Sequence, residues 1–247
     1  AQVFDELMIS ALIASEDRIR PYVAWKSVKR LISDPTRTEE VFIIIDALKG
    51  NSLRRAVDRL SNGEEGRALL LEKPSIVNEL GNLEFSSGDS LGSFYREFIH
   101  SESISAQELI NESKVSTYIT YKTLDERWMG ERLRDIHDLF HVVTRYGRDE
   151  LGELCLLAFT NTLHFNRGIA LILFMGRRQY RRDHPQIPID ACLGEARVLA
   201  KNSAWLPGVW WEKKLHLPID NVRESLGLAD PSIYFKTRSK IEQGLYG

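Results

Sequence analysis

Apolar residues recur along most of this chain at spacings of three and four, the rhythm of helices with one buried face. Val3 to Ile13 is apolar at most positions, and the charged stretch Glu16 to Arg20 ends that run. Pro21 suits the first turn of a following helix, whose expected inner stripe is Val23, Val28, Leu31 and Ile32. Thr38-Glu39-Glu40 opens another helix, running through Val41 to Ile45 towards a stop at Gly50. Five apolar residues in a row also suit a buried strand, but the glutamates before them and Ala47-Leu48 after them favour helix. Ser52 to Leu60 continues the series, and a looser stretch rich in Gly, Asn and Ser follows from Asn78 to Asp89. Leu91, Phe94, Tyr95 and Phe98 then form an aromatic face, which serves either core packing or the wall of a ligand site.

Thr123-Leu124-Asp125-Glu126 has the hydroxyl and carboxylate of a capping box and predicts the start of a long helix carrying His137 and His141. After a turn at Tyr146 to Asp149, Leu151 to about Phe165 is apolar on nearly every side, so it belongs at the centre. The next apolar stretch ends in Arg177, Arg178, Arg181 and Arg182, which form a solvated face or a seat for phosphate or an anionic membrane surface. A short helix is expected from Pro218 to Leu226. With no internal repeat and no linker, the expected architecture is all-α: one helical-bundle domain over residues 1–247, its metal motif at 134–153.

Composition narrows the function. A length of 247 residues with 43% hydrophobic residues is enough for a sizeable core. A net charge of −2 supplies no basic field, so no nucleic acid is expected as a partner. Cys155 and Cys192 sit in apolar helical contexts and read as reduced, buried thiols. The best apolar run, Gly168 to Met175, is too short to span a membrane. The first residues lack the charged start and cleavage pattern of a secretory leader, although the chain does not begin with Met.

The chemistry concentrates in His137-Asp138-Leu139-Phe140-His141, followed after eleven residues by Glu153. Imidazoles four apart on a helix lie one turn above each other and can face one ion. If the following helix folds back antiparallel, Glu153 comes level with them. His137, His141 and Glu153 are the expected ligands of a divalent metal. Asp138, about 100° round the helix from His137, is either a fourth ligand or a partner orienting an imidazole. Arg134 is a candidate catalytic residue that binds a carboxylate or phosphate, or else pairs with Asp138. A metalloprotease needs Glu directly after the first His, where this chain has Asp138. A His-Asp phosphohydrolase needs a further His and Asp, and His100 is the only upstream candidate.

These blocks resemble the coenzyme Q (ubiquinone) biosynthesis protein 4 family. Its His-Asp-x-x-His-x11-Glu signature is met by His137, Asp138, His141 and Glu153, with Gly152 and Arg134 matching around it. Ser90 to Phe98, Trp211-Glu212 and Val222 to Leu226 look like further family blocks. Leu157 and Ser90 depart from it, standing where many members carry Lys and Thr. The resemblance implies a metal-binding protein of quinone biosynthesis, with zinc at the motif or magnesium or iron in its place. It implies an apolar channel for a polyprenyl-tailed ring precursor, for which Phe94, Tyr95 and Phe98 are candidate walls. It implies decarboxylation with hydroxylation at ring carbon C1, or a non-catalytic scaffold for other quinone-biosynthesis enzymes. Iron is expected as an alternative to zinc from the donor set itself, since two imidazoles and one carboxylate also suit non-haem iron. Peripheral contact with a membrane, from the cytoplasm or an organelle matrix, and a homodimer complete the expected partners.

Overall fold

Pro21 begins the first helix of the computed structural model, which describes residues 18–34, 37–82, 88–101 and 121–246. The apolar run Val3–Ile13 lies outside them. Helices α1 (Pro21–Ser33) and α2 (Thr38–Leu48) form an antiparallel-type pair joined by a short connection, then α3 (Ser52–Ser61), α4 (Glu64–Glu72) and α5 (Ile76–Asn82) follow. Helix α6 is Leu91–Ser101, α7 Leu124–Asp135, α8 His137–Thr144, α9 Glu150–Leu163, α10 Arg167–Asp183 and α11 Ile189–Asn202. After 3₁₀ turns at Leu206–Gly208 and Trp211–Lys214 come α12 (Ile219–Ser225) and α13 (Ser232–Glu242). Among the described residues the fold is all-α, with a single isolated bridge between Ser90 and Pro218.

Three expectations change in detail. The inner face of α1 is Ala24 and Ser27, with Val23, Val28 and Leu31 half-buried and Ile32 exposed, because its main neighbour is α2 and one neighbour covers a narrow stripe. The looser stretch from Asn78 starts inside α5. The long helix expected to begin at Thr123 is two helices: Ile136, with φ −88° and ψ 1°, ends α7 and starts α8. The cap forms, with Thr123 Oγ1 accepting from Glu126 N at 3.1 Å, while Glu126 Oε2 reaches back one residue beyond the cap and accepts from Lys122 N.

Helix α9 is the centre. Leu151, Leu154, Cys155, Leu156, Ala158 and Phe159 point in several directions and all are buried, against α8, α10 and α11. Each large apolar side chain so covered contributes roughly 1.5–3 kcal/mol. The amino-terminal pair is joined to this centre through α10, where Gly168 lies so close to α2 that a Cβ would fall 2.4 Å from the Cα of Ile45.

The carboxyl-terminal third straps the site helices in place. Leu91 N and Gly92 N donate to the carbonyls of Leu217 and Leu215, so the start of α6 hangs on the segment before α12. Arg132 of α7 is buried and holds Glu212 through two bonds, at 2.6 and 3.1 Å, with a third donated to the Val209 carbonyl. Arg223 of α12 donates to the Val143 carbonyl of α8 at 2.9 Å and pairs with Asp230.

Candidate metal centre

The break at Ile136 makes His137 the first residue of α8, and His141 follows one turn later on the same face. Their ring centroids are 5.0 Å apart and the rings are perpendicular. Helix α8 ends where Arg145 adopts the left-handed conformation, φ 64°, and turns the chain back. Asp149 then caps α9, its Oδ1 accepting from Gly152 N at 3.0 Å. That places Glu153 in the first turn of α9, level with the imidazoles. Glu153 Oε1 lies 3.3 Å from His141 Nε2, and Oε2 lies 3.8 Å from His137 Nε2.

His141 is buried, and its two nitrogens have distinct surroundings. Nδ1 is 3.0 Å from the Tyr146 carbonyl, which can only accept, so Nδ1 carries the proton. Nε2 is then a lone-pair donor, buried and without an aligned hydrogen-bond partner, close to the Glu153 carboxylate. The donor atoms of His137, His141 and Glu153 all lie within 4.8 Å of one another. Ligands at ~2.1 Å from a tetrahedral ion stand ~3.4 Å apart. An orphaned imidazole nitrogen beside a carboxylate and a second imidazole therefore fits a divalent metal. Burial opposes the charge on Glu153, but His137 and His141, in the form that carries a proton on both ring nitrogens, outweigh it by hydrogen bonding and charge and hold the carboxyl down at about 2.

Comparison with known proteins bears on this centre. The family described as coenzyme Q (ubiquinone) biosynthesis protein Coq4 matches residues 19–232. The chain belongs to that family. Similar curated relatives include the mitochondrial ubiquinone biosynthesis protein COQ4 of Mycosarcoma maydis, 27% identical over 52% of this chain and 34% of that protein. The Penicillium rubens protein of the same name is 26% identical over 76% of this chain and 65% of its own length. The chain thus spans a third to two-thirds of these first relatives. A mitochondrial COQ4 homolog of Bos taurus is 22% identical over 81% of this chain and 74% of that one. A crystal structure of a Nostoc punctiforme protein named for ubiquinone biosynthesis shares the fold, with TM-score 0.60 and 18% identity over 86% of this chain and all of the other.

In this Coq4-family chain the other candidate residues sit at graded distances from the three donors. Asp138 accepts from Arg148 at 2.6 Å and stands outside the three-residue cluster. Phe98 stacks on His141 with centroids 5.5 Å apart, and the Arg148 guanidinium lies 5.0 Å above the Phe98 ring. Tyr95 is buried and donates to the Asp135 carbonyl at the end of α7. Burial, helped by Asp138 and Asp135, pushes its hydroxyl well above the usual tyrosine value. Phe94 is 40% exposed on the same helix. Arg134 lines a surface cavity of about 470 Å³ with Tyr121, Lys122, Arg127 and Glu131, which none of the three donors lines.

Two contributors escaped the sequence reading. The Tyr146 carbonyl is main chain and leaves no mark on residue identity. Arg148, rather than Arg134, pairs with Asp138; its place ten residues on, across the turn, is visible only once the turn's geometry is known.

Proposed function

We propose that this Coq4-family chain holds a divalent metal on His137 Nε2, His141 Nε2 and Glu153, and binds a polyprenyl-tailed aromatic precursor of a quinone beside it. The observation that carries this is the buried, unpartnered Nε2 of His141, facing a carboxylate and a second imidazole. Two imidazoles and one carboxylate suit zinc or iron better than magnesium, which favours an all-oxygen shell. When bound, the ion supplies Lewis acidity towards the carboxylate and phenolic oxygens of such a ring. Three protein donors leave room for that ligand.

The chain's own residues have complementary parts. The Tyr146 carbonyl keeps the proton on Nδ1 of His141, and Arg148 holds Asp138 beside the centre. Phe98, stacked on His141, supplies apolar surface for the first part of a prenyl tail, with Phe94 exposed on the same helix, whereas Tyr95 is buried in the core and supports that helix from behind; each covered methylene contributes ~0.8 kcal/mol. The reaction proposed is exchange of the ring carboxyl at C1 for hydroxyl: the carboxyl leaves as carbon dioxide, one atom of dioxygen enters as the hydroxyl oxygen, and the other leaves as water with two electrons and two protons from an external reductant. A scaffold role towards other quinone-biosynthesis enzymes is the second reading; it calls for a closed site with a fourth ligand such as Asp138, which here is held by Arg148 outside the three-donor group. A His-Asp phosphohydrolase requires more ligands than the three brought together among the described residues.

Peripheral membrane contact and a homodimer belong to the same proposal. No helix among the described residues is long and apolar enough to cross a membrane. Phe165 and Phe174 are exposed on a groove that Arg177 and Arg197 also line, a surface suited to an anionic bilayer from the cytoplasm or an organelle matrix.

Metal content by mass spectrometry tests the centre, on protein purified without added metal, wild type beside His141→Ala and Glu153→Ala. One equivalent of metal in the wild type, lost from both variants, is the expected result. Absence of metal in the wild type after adding back zinc and iron(II) overturns it. Carbon dioxide release from a prenylated aromatic acid by the loaded protein then separates enzyme from scaffold.

A further inference from the structure

Tyr234, on α13, is 85 residues beyond the turn that joins the two ligand-bearing helices, and it is fully buried. Its hydroxyl donates to Asp149 Oδ2 at 2.5 Å and accepts from Gly147 N at 2.9 Å. Both bonds fall on one five-residue turn, and Arg238 of the same helix approaches the contact from outside, 3.8 Å from Asp149 Oδ2. The other oxygen of Asp149 caps α9 through Gly152 N. Gly147 directly follows Tyr146, whose carbonyl takes the Nδ1 proton of His141.

One hydroxyl therefore touches the supports of two ligands. On one side it fixes the amide next to the carbonyl that orients His141. On the other it fixes the carboxylate that sets where α9, and so Glu153, begins. The turn is built around this contact: a Cβ on Gly147 would fall 2.8 Å from the Tyr234 hydroxyl, and one on Gly152 2.9 Å from it. Tyr234 is itself held from outside the turn. Its amide and that of Ile233 donate to Glu195 of α11, and its ring meets Tyr146 edge-on at 5.2 Å.

We infer that Tyr234 is a positioning residue for the metal centre, its hydroxyl orienting His141 and Glu153 together through Gly147 and Asp149. For its functional meaning the inference rests on the metal reading above. The orientation itself is a property of the metal-free protein.

The test uses the whole chain carrying Tyr234→Phe, which removes the hydroxyl and keeps the ring. In metal-free protein, imidazole nitrogen–proton correlations should show His141 moving from the single Nδ1–H tautomer to a mixture, and the Gly147 amide should exchange faster. With metal, zinc affinity measured by chelator competition should weaken about 10- to 100-fold, the usual effect of losing an outer hydrogen bond. The visible spectrum of the cobalt-saturated variant should also differ from wild type. A merely structural role would lower the melting temperature and leave the tautomer and the saturated cobalt spectrum where they were.

Asp149→Asn is the second variant. It keeps a good helix cap but removes the acceptor for the tyrosine proton, and it should change the same readouts in the same direction. An unchanged His141 tautomer with unchanged zinc affinity in folded Tyr234→Phe overturns the inference. Failure of both variants to fold overturns it too, since the contact would then serve folding instead of orientation. If the wild type binds neither zinc nor cobalt, the metal reading fails, and the tautomer and exchange measurements still decide whether Tyr234 orients His141.

Discussion

The ring of His141 shows how a residue's neighbours decide its chemistry. A backbone carbonyl takes the proton on one nitrogen, and the other is left buried with Glu153 3.3 Å away. His137, at the helix start, is 40% exposed in its side chain and completes the group from the solvent side. The carboxylate feels both. Its depressed folded-state value means that ionised Glu153 contributes stability that is present above the usual glutamate range and is lost as pH falls towards about 2. In metal-free protein the carboxyl carbon of Glu153 should therefore titrate near 2 by carbon-13 NMR. In His141→Ala and in His137→Ala the midpoint should rise towards the ordinary glutamate value. A midpoint unmoved in both variants would mean that the imidazoles are not its cause.

At the scale of elements, the hairpin of α8 and α9 depends on how tightly its turn closes. Arg145 takes the left-handed conformation, and Gly152 sits where a Cβ would lie 2.1 Å from the Gly147 carbonyl oxygen. No side chain fits that gap without moving backbone. Gly152→Ala should lower stability by about 1–3 kcal/mol, the usual range for forced overpacking, seen as a reduced urea midpoint. Gly194→Ala is the control: it lies within α11 with nothing within 4 Å of the added methyl. Relieving glycine's backbone entropy there should raise stability by roughly 0.5–1 kcal/mol. The Ile136 break belongs to the same scale. It divides the predicted long helix so that α7 serves Arg132 and α8 serves the histidines.

Over the whole molecule, segments far apart in the chain hold the hairpin. The Arg132–Glu212 pair is buried on both sides and ties α7 to the 3₁₀ turn 80 residues later. Arg223 and Asp230 reach the end of α8 from α12 and beyond, and Arg145 joins them at Asp230 and Asp220. Removing one partner of a buried pair leaves the other charge uncompensated. Glu212→Ala should cost about 3–5 kcal/mol, measured by chemical denaturation with far-ultraviolet circular dichroism. A loss under 1 kcal/mol would show that water or another acceptor replaces the carboxylate.

Much of this was legible from residue order, because the signals involved are local. The apolar residues on nearly every side of Leu151 to Phe159 identify α9 as central. The capping box at Thr123 marks where α7 starts, and His-x-x-x-His fixes two imidazoles on one face whatever the rest of the chain does. The eleven-residue spacing to Glu153 is enough to bring the carboxylate level once a turn is assumed. What residue order could not carry is contact between distant segments and contact through the main chain. The Tyr146 carbonyl has no side-chain identity, Tyr234 is 85 residues from the turn it holds, and Arg148 won Asp138 through the path of that turn. Local periodicity determined which groups can share a face. Only the tertiary packing decided which nitrogen keeps its proton, which carboxylate stays free for a metal, and what holds them there.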